Sequence, residues 1–146
     1  MNLEITHAQF GVRPPVQKPI PEFLIEMGED GIRKLISDHY DLIKESDIFF
    51  MFPQDPEEFE AAKKNSADFF IQICGGPAYF NQNRGAPQMV GRHAPFAIDA
   101  KARKRWLELY IPLLEELKEQ GITETSLKSF WGYLNIFSIW MINTQS

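Results

Sequence analysis

The chain has a single cysteine among 146 residues, so no internal disulfide can brace it. Such cysteine usage fits a reducing compartment, and a cytoplasmic location is expected. No apolar run is long enough to span a membrane, and the first residues lack the apolar core of a signal peptide, so no membrane partner is expected. Cations are in deficit: 15 Lys and Arg face 20 Asp and Glu, a net charge of −5. That balance argues against a surface built for nucleic-acid phosphates. A glycine-rich dinucleotide fingerprint is missing too, which leaves no flavin or nicotinamide domain in the sequence. With neither sustained two-residue alternation nor an internal repeat, the expected class is all-α.

What is plentiful is aromatic. Phe, Trp and Tyr make up 13% of the chain, with 12 Phe and 3 Trp, inside an ordinary 44% hydrophobic and 24% charged composition. This is the composition of one globular domain with a substantial core. Aromatics in such number bury large areas, and they also line pockets for flat cofactors.

Residues 1–20 carry Pro14, Pro15 and Pro19 and hold no period; they are expected as an extended arm, wrapped on the domain or partly disordered, ahead of a domain over 21–146. Pro21 can open a short helix that Gly28 ends. A helix follows from about Asp30 to Lys44, because Ile32, Leu35, Ile36, His39, Tyr40 and Ile43 share one face. Ser46 or Asp47 can cap a short turn through Phe52, stopped by Pro53. Pro56 and Glu57 open a helix to about Ile73, striped by Phe59, Ala62, Ser66, Phe69, Phe70 and Ile73. After Gly75-Gly76-Pro77, residues 77–92 read as a long connection, and loops of that length tend to be functional. Asp99 can cap a long helix to Gln120, stopped by Gly121, with Trp106, Leu109, Tyr110, Leu113, Leu114 and Leu117 on its stripe and a kink expected at Pro112. A last helix, about Glu124 to Asn143, is apolar around most of its circumference; it belongs to the core and has a surplus face for another subunit.

The stretch 84–96 is the one around which the rest is organised. Two glycines and two prolines punctuate it, Pro95 biases Ala94 away from helical dihedrals, and His93 falls in a helical segment of at most about one turn. A lone histidine there is as a rule a capping or surface group. His93 has company. The series Gly75-Gly76-Pro77, Asn83-Arg84-Gly85, Pro87, Arg92-His93-Ala94-Pro95-Phe96, Ile98 and Trp106, within a stretch from about Leu35 to Asn143, resembles the truncated (two-over-two) haemoglobins of the second group. The resemblance implies a globin-like, two-over-two helical sandwich with a short proximal helix in a long loop and an N-terminal extension.

It also implies haem b, with His93 as the proximal ligand through Nε2 while Nδ1–H donates to a nearby carbonyl. Phe52, Phe69, Phe70, Met89, Phe96, Ile98 and Trp106 would line the haem slot, each of them equally at home in a plain core. Tyr40 and Trp106 match the family's distal hydrogen-bond donors. Ala62 and Ser66 fall where the distal helix crosses the iron, and their short side chains leave room for a small ligand. Ser66 differs from the apolar or amide residue usual there, and as a mid-helix serine it can equally bond back to the preceding turn. Arg92 is the candidate propionate anchor; Asn65 and Phe80 stand where the family often has a basic residue and a tyrosine, and Lys63 and Lys64 read as solvated charges. His39 is expected at the rim, and Cys74 as an inert buried thiol.

The function that follows is reversible binding of O2, and of CO and NO, at a pentacoordinate iron with a polar Tyr/Trp pocket, in a monomer or homodimer. Family members are associated with NO dioxygenation and peroxidase-like turnover, and here such turnover would need a separate reductase. Two other readings stay open: a haem-based gas or redox sensor acting through a partner protein, and a haem-free helical module whose aromatic groove takes a peptide.

Overall fold

Six α-helices and one 3-10 turn carry the computed structural model, which describes residues 1–145, and no strand occurs among the described residues. They belong to two compact units, Ile20–Pro87 and Met1–Pro19 joined with the segment from Gln88 onward.

In the unit Ile20–Pro87, α1 runs Pro21–Lys44 with Pro21 in its first turn, and Gly28 at φ 71° and ψ 164° divides it into two helical segments. Only glycine adopts that backbone freely, so the expected stop at Gly28 is a break within one longer element. Ile32, Leu35, Ile36, His39, Tyr40 and Ile43 are buried, which is the face the spacing predicts. Ser46 Oγ accepts from Ile48 N–H at 3.3 Å ahead of the 3-10 turn Phe49–Met51. Helix α2 spans Pro56–Ile73 and packs on α1; Asp55 caps it by accepting from Glu58 N–H at 3.1 Å. Of its predicted stripe, Phe59, Phe69 and Phe70 are buried, while Ala62, Ser66 and Ile73 are half-buried. Ala67, Asp68 and Ile71 complete the buried set, since the C-terminal half of α2 is covered on more than one side. At Gly76 a Cβ would lie 2.7 Å from Ile71 Cγ2, so only glycine lets the chain turn this close to α2.

The connection expected over residues 77–92 is largely helical. Helix α3 spans Tyr79–Arg84 and α4 spans Met89–His93. Polar side chains rather than an apolar stripe hold α3, which is why periodicity missed it. Gln72 and Asn81 exchange two bonds, Nε2 to Oδ1 at 3.0 Å and Asn81 N–H to Oε1 at 3.1 Å. Tyr79 donates its hydroxyl to Glu29 at 2.8 Å, and Asn83 donates to Asp68 at 3.2 Å.

In the other unit, α5 (Ala100–Glu119) is capped by Asp99, which accepts from Ala102 N–H at 2.8 Å. The helix continues through Pro112, which is exposed, and Gly121 at φ 106° stands just past its end. Helix α6 spans Glu124–Trp140, three residues short of the expected end at Asn143, and packs on α5 around the buried Leu107, Tyr110, Leu114, Phe130 and Leu134. The N-terminal arm lies against α5 and α6. Trp131 Nε1 donates to the Glu4 carbonyl at 2.9 Å, Trp140 Nε1 to the Pro14 carbonyl at 2.8 Å, and Ala8 is buried with Ile139 and Ile142. The arm thus takes up part of the α6 face that the sequence offered to another subunit.

Candidate functional site

Gln88, in the left-handed region at φ 43°, turns the chain into α4, and Arg92 N–H closes the first turn on the Gln88 carbonyl at 3.0 Å. His93 ends this helix, half-buried, with Nδ1 at 2.7 Å from the Met89 carbonyl. A carbonyl only accepts, so Nδ1 is the donor, and in the neutral ring Nε2 then presents the lone pair. This is the tautomer a metal-ligating histidine needs. Among the described residues no group of three or more His, Cys, Asp or Glu side chains could hold a metal ion.

The same unit carries five more of the residues singled out in the sequence. Met89 and Arg92 are half-buried on α4, Ile98 is buried, and Phe96 is 45% exposed. Trp106, half-buried on α5, meets Tyr110 edge-on at 5.1 Å. Contrary to the bias that Pro95 imposes, Ala94 is helical at φ −55° and ψ −34°. The turn it belongs to is held by Asn143, whose Nδ2 donates to the carbonyls of Phe96 at 2.7 Å and His93 at 3.2 Å.

In the unit Ile20–Pro87, α1 presents Tyr40, 9% exposed, with Phe52 and Phe59 edge-on at 5.7 and 5.4 Å. Its hydroxyl is hydrogen-bonded to the side chain of Ser66, so this serine faces α1 instead of bonding back along α2. Burial holds the Tyr40 phenol above the usual phenol range, and the Ser66 bond pulls the other way. Ala62 lies one turn before Ser66 and is half-buried. Phe69 meets Phe70 at 5.4 Å and Phe80 at 5.8 Å, and Phe80 is 4% exposed. This unit therefore joins Tyr40 with Ser66 and Phe52, and Phe69 with Phe70 and Phe80.

Two expectations need correction. His39 is fully buried, not at a rim, because it lies on the same face of α1 as Leu35 and Ile36. Lys63 is mostly buried and pairs with Asp41 at 3.2 Å and Glu60 at 3.3 Å. Lys64 is the exposed charge expected, and it reaches Asp68 at 3.1 Å. Cys74 is the buried thiol expected, and burial pushes it up to about 12.

Sequence reasoning passed over Arg103. It is 4% exposed and donates to the Ser138 hydroxyl at 3.0 Å, the Thr6 carbonyl at 2.8 Å, and the Asn135 carbonyl and Oδ1 at 2.6 and 2.8 Å. Burial lowers the guanidinium to about 10, so it keeps its charge at neutral pH. Lys101, Lys104 and Arg105 flank it and disguise it as part of a solvated run; Asn135 and Ser138 on the apolar α6 are the available hint.

With this geometry in hand, comparison with known proteins decides the family. The sequence model of the bacterial-like globins matches residues 26–143. The chain belongs to that family. Its globin-like, all-α fold is shared with Hell's gate globin IV, solved with phosphate bound, at TM-score 0.84 and 36% identity over 98% of this chain and 88% of that one. Group 2 truncated hemoglobin YjbI of Bacillus subtilis (strain 168) is 22% identical over 117 residues, 80% of this chain and 85% of that protein. Two-on-two hemoglobin-3 of Arabidopsis thaliana is 45% identical over 49 residues, which is 34% of this globin but only 28% of the plant protein. These likenesses put the globin in the second group of truncated haemoglobins, and membership implies a haem cofactor and gaseous ligands. No helix among the described residues is long and apolar enough to cross a membrane.

Proposed function

We propose that this globin holds haem b through His93 as the only protein ligand to the iron and binds O2, and also CO and NO, reversibly. The observation that carries the reading is the bond from His93 Nδ1 to the Met89 carbonyl at 2.7 Å, which fixes the ring and leaves Nε2 as the ligating atom. Haem, when bound, supplies a ferrous iron with one position open to a diatomic gas. The chain's part is to orient, to exclude water and to donate protons in hydrogen bonds.

Tyr40 is suited to donate. Its buried phenol stays protonated at neutral pH, and it shares a hydrogen bond with the Ser66 hydroxyl, a group that can donate or accept. Trp106 adds an indole N–H, a donor only. Ala62 keeps the helix thin near Ser66. Phe52, Phe69, Phe70, Met89, Phe96 and Ile98 supply apolar contact, and Arg92 pairs with a propionate. Catalytic oxidation of NO, or peroxide removal, would draw its electrons from a separate reductase in the cytoplasm.

The test is His93→Ala. Haem retention should fall severely and recover in part with added imidazole. A variant that kept an unchanged five-coordinate ferrous spectrum without imidazole would show that the ligand lies elsewhere.

A further inference from the structure

The turn that follows α4 is not explained by its own sequence. A residue before proline is driven toward extended backbone, and proline is disfavoured at the third position of a tight turn whose second residue is helical. Yet Ala94 is helical, and Phe96 N–H donates to the His93 carbonyl at 3.0 Å across Pro95. Helix α4 has five residues, too few to stand by itself. What holds the turn comes from beyond the end of α6. Asn143 Nδ2 donates to the carbonyls of His93 and Phe96 at 3.2 and 2.7 Å, while its Oδ1 accepts from Ile98 N–H at 2.9 Å. The main chain adds two bonds, from Asn143 and Thr144 N–H to the Ile98 carbonyl at 3.0 and 3.1 Å.

We infer that Asn143 is the positioning residue for His93, an inference that rests on His93 being the haem ligand. The imidazole is tied through Nδ1 to Met89, at the start of α4. The carbonyl of the same residue is tied by Asn143 at its end. Ring and backbone are thus fixed from two sides, and the direction of Nε2 follows. Asn143 acts through His93 and needs no contact with iron or gas.

Resonance Raman spectra of the ferrous, ligand-free protein test this, together with hydrogen exchange at the Phe96 and Ile98 amides and the rate of haem transfer to an acceptor protein. In Asn143→Ala the iron–histidine band should shift and broaden, both amides should exchange faster, and haem should leave roughly tenfold faster, the loss expected for side-chain bonds of this kind. The main-chain bonds to Ile98 survive the substitution, so the fold should too. Asn143→Asp keeps the acceptor for Ile98 N–H and loses the donor. Its Ile98 amide should stay protected while its band shifts as far as in the alanine variant. An unchanged band in both variants overturns the inference, even if exchange quickens, because Asn143 would then be a tie in the fold and nothing more. A wild type with no iron–histidine band at all overturns the haem reading and this inference with it; the two failures are distinct, since only the second shows in the wild type.

Discussion

At the scale of single residues, burial forces polar atoms to choose protein partners. Tyr40 sits against Phe52 and Phe59 and bonds to Ser66 in place of water. Its folded pKa is raised, so the stability linked to its proton is complete below the ordinary phenol pKa of about 10 and is lost as pH rises through the folded value. At neutral pH the phenol therefore keeps its proton. Replacing Tyr40 and Trp106 together by Phe should speed O2 release by about 5- to 150-fold, the equivalent of a bond worth about 1–3 kcal/mol, and CO release much less. Either single change can look milder, because the remaining donor can swing in, and the effects should not add. A double variant that released O2 as slowly as the wild type would mean that no polar distal pocket exists. The need of Tyr40 for a partner was legible in its place on an apolar stripe. Which partner it takes was not, because a serine in mid-helix has a local alternative in the preceding turn.

At the scale of elements, two pieces are held by polar contacts that join distant parts of the sequence. The first is α3, tied to α1 and α2 around Asp68. This carboxylate is 1% exposed and accepts from Arg33 at 2.8 Å, Lys64 at 3.1 Å and Asn83 at 3.2 Å. Burial pushes its carboxyl up, but these three bonds together outweigh burial and hold it below the usual carboxylate range. The stability it contributes is therefore present above the unfolded value of about 3.9 and is lost as pH falls through the folded one. Asp68→Ala should cost roughly 1–3 kcal/mol at neutral pH in urea unfolding, and the cost should shrink in acid. Parallel acid limbs for the two proteins would contradict this. The second piece is the arm, whose bonds span as many as 131 residues of sequence. Trp131→Phe with Trp140→Phe keeps an aromatic side chain at each position and deletes the donors to Glu4 and Pro14. Protease should then cut the arm faster, with a loss of roughly 1–3 kcal/mol in stability. Unchanged cleavage would show that the tryptophans do not hold it.

At the scale of the whole molecule, what could be read from the sequence was what apolar spacing, caps and breakers encode. The face of α1, the start of α2 at Pro56, the cap at Asp99, the break at Gly28 and the stop at Gly121 all follow from local chemistry, whereas of the stripe expected on α5 only Tyr110 and Leu114 are buried. Helix α3, the early end of α6, the burial of Arg103 and the clamp at Asn143 do not follow from local chemistry, because each depends on a side chain meeting a partner far away in the chain. The site was legible in the same uneven way. Resemblance named His93, while the bond from its Nδ1 to the Met89 carbonyl depends on how α4 folds. The claim that joins these observations is a globin whose one protein ligand leaves a reversible gas site. The absorption spectrum of the reduced, purified chain, taken without oxygen, then in air, then without oxygen again, tests it most directly. A five-coordinate high-spin spectrum that gives way to two resolved visible bands in air and returns under inert gas is the predicted result. A reduced protein with no Soret band, or with a six-coordinate spectrum that air leaves unchanged, would contradict it.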